Sequence, residues 1–187
     1  MTELSRELLE KYYAPDSNTF RYLHTHSLSV ARLALSIVEH NRYSTDREWI
    51  VNAAMLHDIG IFKTHAPGIG CFGNYPYLAH GYLGREILEQ EGLHDLAKVC
   101  ERHVGVGISA KEIRSKKLPL PERNMLPLTL EEQIICYADK FFSKDPEKPD
   151  APKRLEDIRA SLLRHGKDKL IRFNQFAEQF GSDYIYR

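Results

Sequence analysis

Apolar residues in this chain recur at helical spacing and do not alternate, and that periodicity limits the possible folds more than any other feature. One stripe falls at i, i+3, i+4, i+7 and i+8, on one face of a helix: Val30, Leu33, Ala34, Ile37 and Val38. Comparable stripes predict helices over about residues 24–41, 46–58, 78–91, 94–104, 130–143, 153–165 and 168–180. We therefore expect an all-α helical bundle.

Three local signals predict where these helices begin and end. Thr45 with Glu48, and Thr129 with Glu132, have the spacing of capping boxes, in which each side chain satisfies a free amide at a helix start. Gly60 is placed to end the helix over 46–58.

The length of 187 residues suits one domain. We predict a single domain over residues 1–187, with a core over about 20–145 and C-terminal helices over about 150–182 packed on it. The proline-containing segment Lys144–Lys153 is interpreted as a linker, because the roughly 35 residues after it are too few for a separate core.

Charge and cysteine content exclude several classes of protein. Lys plus Arg and Asp plus Glu both number 26, so the net charge is zero, which makes a nucleic-acid polymer or an anionic membrane an unlikely partner. Cys71, Cys100 and Cys136 form no C-x-x-C pair, so neither a disulfide framework nor a thiolate zinc site is indicated. With no signal peptide or apolar span, a cytoplasmic location is expected.

Several histidines and carboxylates occupy positions where an apolar residue is expected. His26 is four residues before Val30, His80 is three before Leu83, and His103 is four after Val99. Each of these side chains therefore projects from the inward face of its helix. The other inward groups are the adjacent pair His57 and Asp58, at the end of an apolar helix, and Asp139, four residues after Ile135.

Six polar groups directed at one interior predict a metal site. An unpaired buried carboxylate costs several kcal/mol, and no matching inward Arg or Lys is evident on those helices. Imidazole and carboxylate ligands suit Fe, Mn, Zn, Ni or Co. One structural zinc does not need six ligands, so we predict two divalent ions that share Asp58 as a bridge.

The order of these residues along the chain resembles the HD superfamily of metal-dependent phosphohydrolases, in its six-ligand form. Three strings support the resemblance: His26-Ser27 with Val30-Ala31, Ala54-Met55-Leu56-His57-Asp58-Ile59-Gly60, and Tyr137-Ala138-Asp139-Lys140. The similarity covers about residues 20–145, and the segments His103–Gly107 and Pro127–Glu132 look like those of an HDIG-type subfamily. A second His-Asp pair, His94-Asp95, has no following glycine and is interpreted as structural.

The resemblance implies an all-α bundle with metals between its helices. His26, His57, Asp58 and Asp139 would hold one ion, and His80, His103 and the bridging Asp58 would hold the other. Metal-bound hydroxide would then attack the phosphorus of a small phosphorylated metabolite or nucleotide. Lys63, the cation nearest in sequence to the His-Asp pair, has two interpretations: a residue that stabilises the phosphoryl oxygens, or a solvated loop lysine.

The segment Thr64–Gly84 has no Asp, Glu, Lys or Arg, and its first part is interpreted as a long loop. This loop either borders the metal cleft or is a surface loop packed on its own aromatic residues. In the first case Phe72, Tyr75 and Tyr77 would bind the part of the substrate that carries no phosphate.

Two other functions remain open. The same ligands can hold an iron pair in HD-fold oxygenases that resemble myo-inositol oxygenase. Those enzymes place a substrate-binding lysine where this chain has Ile61 or Gly107, so hydrolysis is favoured. A non-catalytic binding module that presents the amphipathic C-terminal helices is the third possibility.

Overall fold

The computed structural model describes residues 1–143 and 151–186, and within them the regular structure is predominantly helical with one short two-stranded sheet, which confirms the all-α prediction. The α-helices of the described residues are α1 (Glu3–Tyr12), α2 (Asn18–Asn41), α3 (Arg47–Leu56), α4 (His80–Gln90), α5 (His94–Arg102), α6 (Ala110–Lys116), α7 (Leu130–Lys140), α8 (Leu155–His165) and α9 (Lys167–Phe180). None of them is long and apolar enough to cross a membrane. Most of the predicted linker lies outside the described residues.

The two predicted capping boxes have different outcomes. Thr129 accepts a hydrogen bond from the Glu132 amide and Glu132 accepts one from the Thr129 amide, so the box that opens α7 is confirmed. The box at Thr45 is wrong. Asp46 is the N-cap of α3, and its carboxylate accepts from the amides of Glu48 and Trp49, because an aspartate one residue further on reaches the same free amides.

Gly60 does not end a helix, contrary to the prediction, since α3 already ends at Leu56. It lies in a 3-10 helix, Ile59–Lys63, that packs against α4. A Cβ atom on Gly60 would stand 2.4 Å from the carbonyl oxygen of His80 and 2.4 Å from the amide nitrogen of Gly84. The missing side chain lets the segment after His57 and Asp58 lie directly on α4, which begins at His80.

The uncharged segment contains a small hairpin. Strands β1 (His65–Ala66) and β2 (Cys71–Phe72) pair antiparallel, with His65 opposite Phe72. A 3-10 turn, Tyr77–Ala79, then leads directly into α4.

The bundle core lies between α2, α3 and α7, with the C-terminal helices packed against it. Tyr137 of α7 lies 5.3 Å from Phe173 and 5.6 Å from Phe180 of α9, measured between ring centroids. All three rings are buried. This aromatic contact fixes α9, and with it α8, beside the helix that carries Asp139.

Candidate metal centre

Five separate elements each direct polar side chains to one buried point. His26 lies within α2, His57 and Asp58 follow the end of α3, and His80 is the first residue of α4. His103 follows the last residue of α5, and Asp139 lies in the last turn of α7. All six side chains are buried, and we call them the metal cluster.

Three of the histidines are oriented in the same way, by their own backbone. Nδ1 of His57 donates to the carbonyl of Ala54 at 2.6 Å, that of His80 to Tyr77 at 2.6 Å, and that of His103 to Cys100 at 2.8 Å. A carbonyl oxygen only accepts, so the proton of each neutral ring lies on Nδ1. The Nε2 lone pair is left directed at the cluster, which is the usual arrangement of a metal-binding histidine.

Asp58 stands between two groups of ligands. Its Oδ2 lies 3.1 Å from Nε2 of His57 and 3.4 Å from that of His26. Its Oδ1 lies 3.2 Å from Nε2 of His80 and 3.5 Å from that of His103.

Asp139 completes the first of these groups. Its Oδ1 is 3.0 Å from Nε2 of His26 and 3.4 Å from that of His57. Two sets therefore have donor atoms close enough to hold an ion, and Asp58 belongs to both: His26, His57, Asp58 and Asp139, and Asp58, His80 and His103.

The electrostatics of the cluster favour bound positive charge. Burial lowers the pKa of His57, but Asp58 and Asp139 outweigh burial and raise it to about 9. Burial works against ionisation of Asp139, yet Lys140 and the two neighbouring histidines hold its pKa well below the usual range. At His103 burial prevails and lowers the pKa. Asp139 therefore stays ionised at neutral pH.

The expectation that no cation faces the buried carboxylates is wrong at one position. Nζ of Lys140 lies 2.6 Å from Oδ2 of Asp139. The lysine directly follows Asp139 in sequence, and the last turn of α7 lets its flexible chain fold back to the neighbouring carboxylate.

Two further buried glutamates near His103 are already paired with arginines. Glu101 accepts from Arg85 at 2.6 Å and also from Arg123, and Glu132 accepts from Arg102 at 2.7 Å. Guanidinium pairing neutralises these carboxylates. They therefore hold the C-terminal end of α5 in place and are not needed as ligands.

The donor set fits divalent first-row metals. Imidazole nitrogens with carboxylate oxygens, and no thiolate, suit such ions. Three rings donate through Nδ1 to backbone carbonyls, so Nε2 is the atom left to bind a metal once any proton on it is displaced, and Asp58 offers one oxygen to each group. The cluster can therefore hold metal ions.

A cavity of about 460 Å³ opens beside the cluster, lined by His80, His103 and Asp139. Tyr77 and Lys140 also line it. The Tyr77 ring lies 4.7 Å from that of His80, so one of the three aromatic residues predicted to contact substrate is beside the cluster.

The other predicted residues are not among the described residues that line this cavity. Phe72 is 74% exposed at the hairpin, and Tyr75 packs edge-on against Tyr82. Lys63 ends its 3-10 helix, and its carbonyl accepts from the Tyr75 amide. Closeness in sequence to the His-Asp pair suggested Lys63, whereas the fold brings Lys140 beside the cluster.

Sequence reasoning also missed the outer wall of the cavity. Lys116 of α6, Leu162 and His165 of α8 and Lys169 of α9 all line it. The apolar spacing of α8 predicted a packed helix, but no sequence signal indicated which residues it faces.

The comparisons with known proteins agree with this geometry. The HD-domain family model matches residues 23–143. The chain is 32% identical over 171 residues to a tRNA (cytidine(56)-2'-O)-methyltransferase of Thermoplasma volcanium. The match covers 91% of this chain and 44% of that protein. It is 35% identical over 137 residues to an uncharacterized protein of Methanocaldococcus jannaschii, and the match covers 70% of this chain and 73% of that protein.

A second tRNA (cytidine(56)-2'-O)-methyltransferase, from Picrophilus torridus, is 36% identical over 101 residues, which are 54% of this chain and 26% of that protein. The chain thus spans less than half the length of the two methyltransferases it matches. No solved structure gives a significant match.

Proposed function

This chain belongs to the HD-domain family, and we propose that it is a metal-dependent phosphohydrolase with a binuclear centre. The proposed substrate is a small phosphorylated metabolite or nucleotide, cleaved as a phosphomonoester or phosphodiester. The proposed cofactors are two divalent ions, whose identity lies among Fe, Mn, Zn, Ni and Co.

The observation that carries the proposal is the division of Asp58 between two histidine groups. Oδ2 faces His26 and His57, and Oδ1 faces His80 and His103. A carboxylate that contacts one group through each oxygen has the geometry of a bridging ligand. Structural zinc sites need four ligands, so two groups that share a bridge favour a catalytic centre.

The remaining residues supply orientation and charge. Divalent ions, when bound, lower the pKa of water and neutralise charge on a phosphate. The backbone carbonyls of Ala54, Tyr77 and Cys100 hold three imidazoles in one tautomer, so the rings need not reorient during turnover. Lys140 is proposed as the cation for the phosphoryl oxygens, because it lines the cavity beside Asp139.

The two methyltransferases are each more than twice as long as the segment that matches this chain, and their names apply to the whole proteins. We assign the methyl transfer to the part of those proteins that this chain does not match, and hydrolysis to the shared part. Because both names include tRNA, oligoribonucleotides with terminal phosphates belong in the substrate screen.

The proposal is tested by metal analysis of anaerobically purified protein, followed by a phosphate-release screen over nucleotides, sugar phosphates and those oligoribonucleotides. We expect phosphate release that stops when a chelator removes the metals and returns when they are restored. Consumption of O₂ with an organic substrate, together with a mixed-valent iron signal, would instead establish the oxygenase alternative.

A further inference from the structure

The cavity beside the metal cluster is built from two parts of the chain. Its inner side includes His80, His103 and Asp139, all within residues 23–143, which match the family. Its outer side includes Leu162 and His165 of α8, which lie beyond that match. Residues of the C-terminal extension therefore face the proposed reaction site directly.

The lining combines charge at the cluster with a largely apolar wall. The apolar members come from four different segments: Leu78, Val104, Ile108, Leu118 and Leu162. A bare phosphate would contact only the charged side of the cavity, so the apolar wall is not needed to bind it. A volume of about 460 Å³ also has room for an organic group of modest size.

Ion pairs hold the outer wall to the rest of the cavity. Glu112 of α6 accepts from Lys116 at 3.0 Å and from Lys169 of α9 at 2.8 Å. Lys169 is 4% exposed and also donates to the carbonyl of Gly107 at 2.6 Å. Lys116 donates to the carbonyl of His165, at the end of α8, at 2.6 Å.

The backbone just after His103 is held by the same helices. Val106 has φ of +59°, a conformation that costs a β-branched residue energy unless its surroundings enforce it. Arg172 of α9 donates to the Val106 carbonyl at 2.8 Å. The position of the outer wall is therefore coupled to the turn that follows a metal ligand.

We propose that Leu162 determines substrate specificity by packing against an apolar or aromatic group on the phosphate ester, on the side that does not react. The inference rests on the proposed function. Leu162 is 6% exposed and lines the cavity, whereas its neighbour Leu163 is 49% exposed and is absent from the lining among the described residues. The two leucines thus form a matched pair on one helix.

The test uses two inert phosphonates that differ only in their organic group, phenylphosphonate and methylphosphonate, titrated into metal-loaded protein by calorimetry. The native protein should bind phenylphosphonate at least tenfold more tightly. Leu162→Ala should reduce that ratio at least fivefold, because the phenyl ring loses its apolar neighbour. Leu163→Ala is the control and should leave the ratio unchanged.

A second variant keeps the test valid if Leu162→Ala does not fold. Leu162→Phe fills part of the cavity, so it should weaken phenylphosphonate binding and leave methylphosphonate binding unchanged. Equal affinities for the two phosphonates in the native protein, no measurable binding of either, an unchanged ratio in both Leu162 variants, or the same change in Leu163→Ala would each overturn the proposal.

Hydrolysis of phenyl phosphate and methyl phosphate is measured separately. If the protein hydrolyses these esters but the affinity ratio of the two phosphonates does not depend on Leu162, this inference alone is overturned. If the affinity ratio depends on Leu162 but no ester in the wider screen is hydrolysed, the proposed hydrolase function alone is overturned.

Discussion

Oδ1 of Asp58 lies 3.2 Å from Nε2 of His80, although a 3-10 helix, the hairpin and a 3-10 turn separate the two residues in the chain. The contact depends on the 3-10 helix around Gly60, which rests on the first turns of α4. Through it, the pair that ends α3 is joined to the histidines of α4 and α5.

Replacement of Asp58 should remove both metals, because the carboxylate belongs to both ligand groups. We expect Asp58→Ala to contain fewer than about 0.2 metal ions per chain by elemental analysis, against about two in the native protein. Asp95→Ala, in the exposed second His-Asp pair, is the matched control and should retain both. Retention of one or two ions by Asp58→Ala would show that Asp58 is not a shared ligand.

Lys140 and Lys63 can be separated by kinetics. Lys140→Met should lower kcat/KM about 100-fold, which corresponds to the loss of one charge-stabilising contact in the transition state. Lys63→Met should change kcat/KM less than about threefold, since Lys63 is not among the described residues lining the cavity. Both variants should keep their metals. A larger loss of kcat/KM in Lys63→Met than in Lys140→Met would show that Lys63, the lysine nearer in sequence to the His-Asp pair, is the one that stabilises the phosphoryl oxygens.

The stability of the metal-free protein should depend on the protonation of His57. Its pKa is raised from 6.5 to about 9, so its stabilising contribution is fully present below pH 6.5 and is lost as the pH rises through 9. In the presence of a chelator, Tm should therefore fall between pH 7 and 9.5. His57→Gln should show a flatter profile over this range, and an identical slope in both proteins would contradict the prediction.

Gly60 should be intolerant of any side chain. Gly60→Ala places a Cβ 2.4 Å from the backbone of α4, and we expect a loss of about 2–3 kcal/mol in unfolding free energy. Gly68→Ala meets nothing within 4 Å and should change it by less than about 0.5 kcal/mol. Chemical denaturation measures both variants, and similar values for the two would mean that Gly60 does not set the contact with α4.

Helical periodicity was enough to predict most of the bundle but not helices α1 and α6. The stripes of α2 and α7 are long and strongly apolar, so their existence followed from spacing alone. Helix α6 buries a single apolar residue, Ile113, and α1 buries only Leu8 and Leu9 among its apolar residues. Such short stripes are too weak to identify without the neighbours against which they pack.

The metal cluster was visible in the sequence because each candidate ligand interrupts an apolar stripe or ends one. The outer wall was not visible, because it depends on contacts between segments far apart in the chain. Lys116 and His165, for example, are joined by a hydrogen bond across 49 residues. Phe72 was predicted to contact substrate because its loop lies between Asp58 and His80 in the chain, but position in the chain does not show which side chains of a loop face the cluster, and Phe72 is exposed.

Anomalous diffraction from crystals of the metal-loaded protein, recorded at the absorption edge of the metal found by elemental analysis, tests the central claim most directly. The account predicts two peaks about 3.5–4 Å apart, the separation usual for binuclear centres. One should lie against Oδ2 of Asp58 with His26, His57 and Asp139, and the other against Oδ1 with His80 and His103. A single peak, or two peaks that do not share Asp58, would contradict the account.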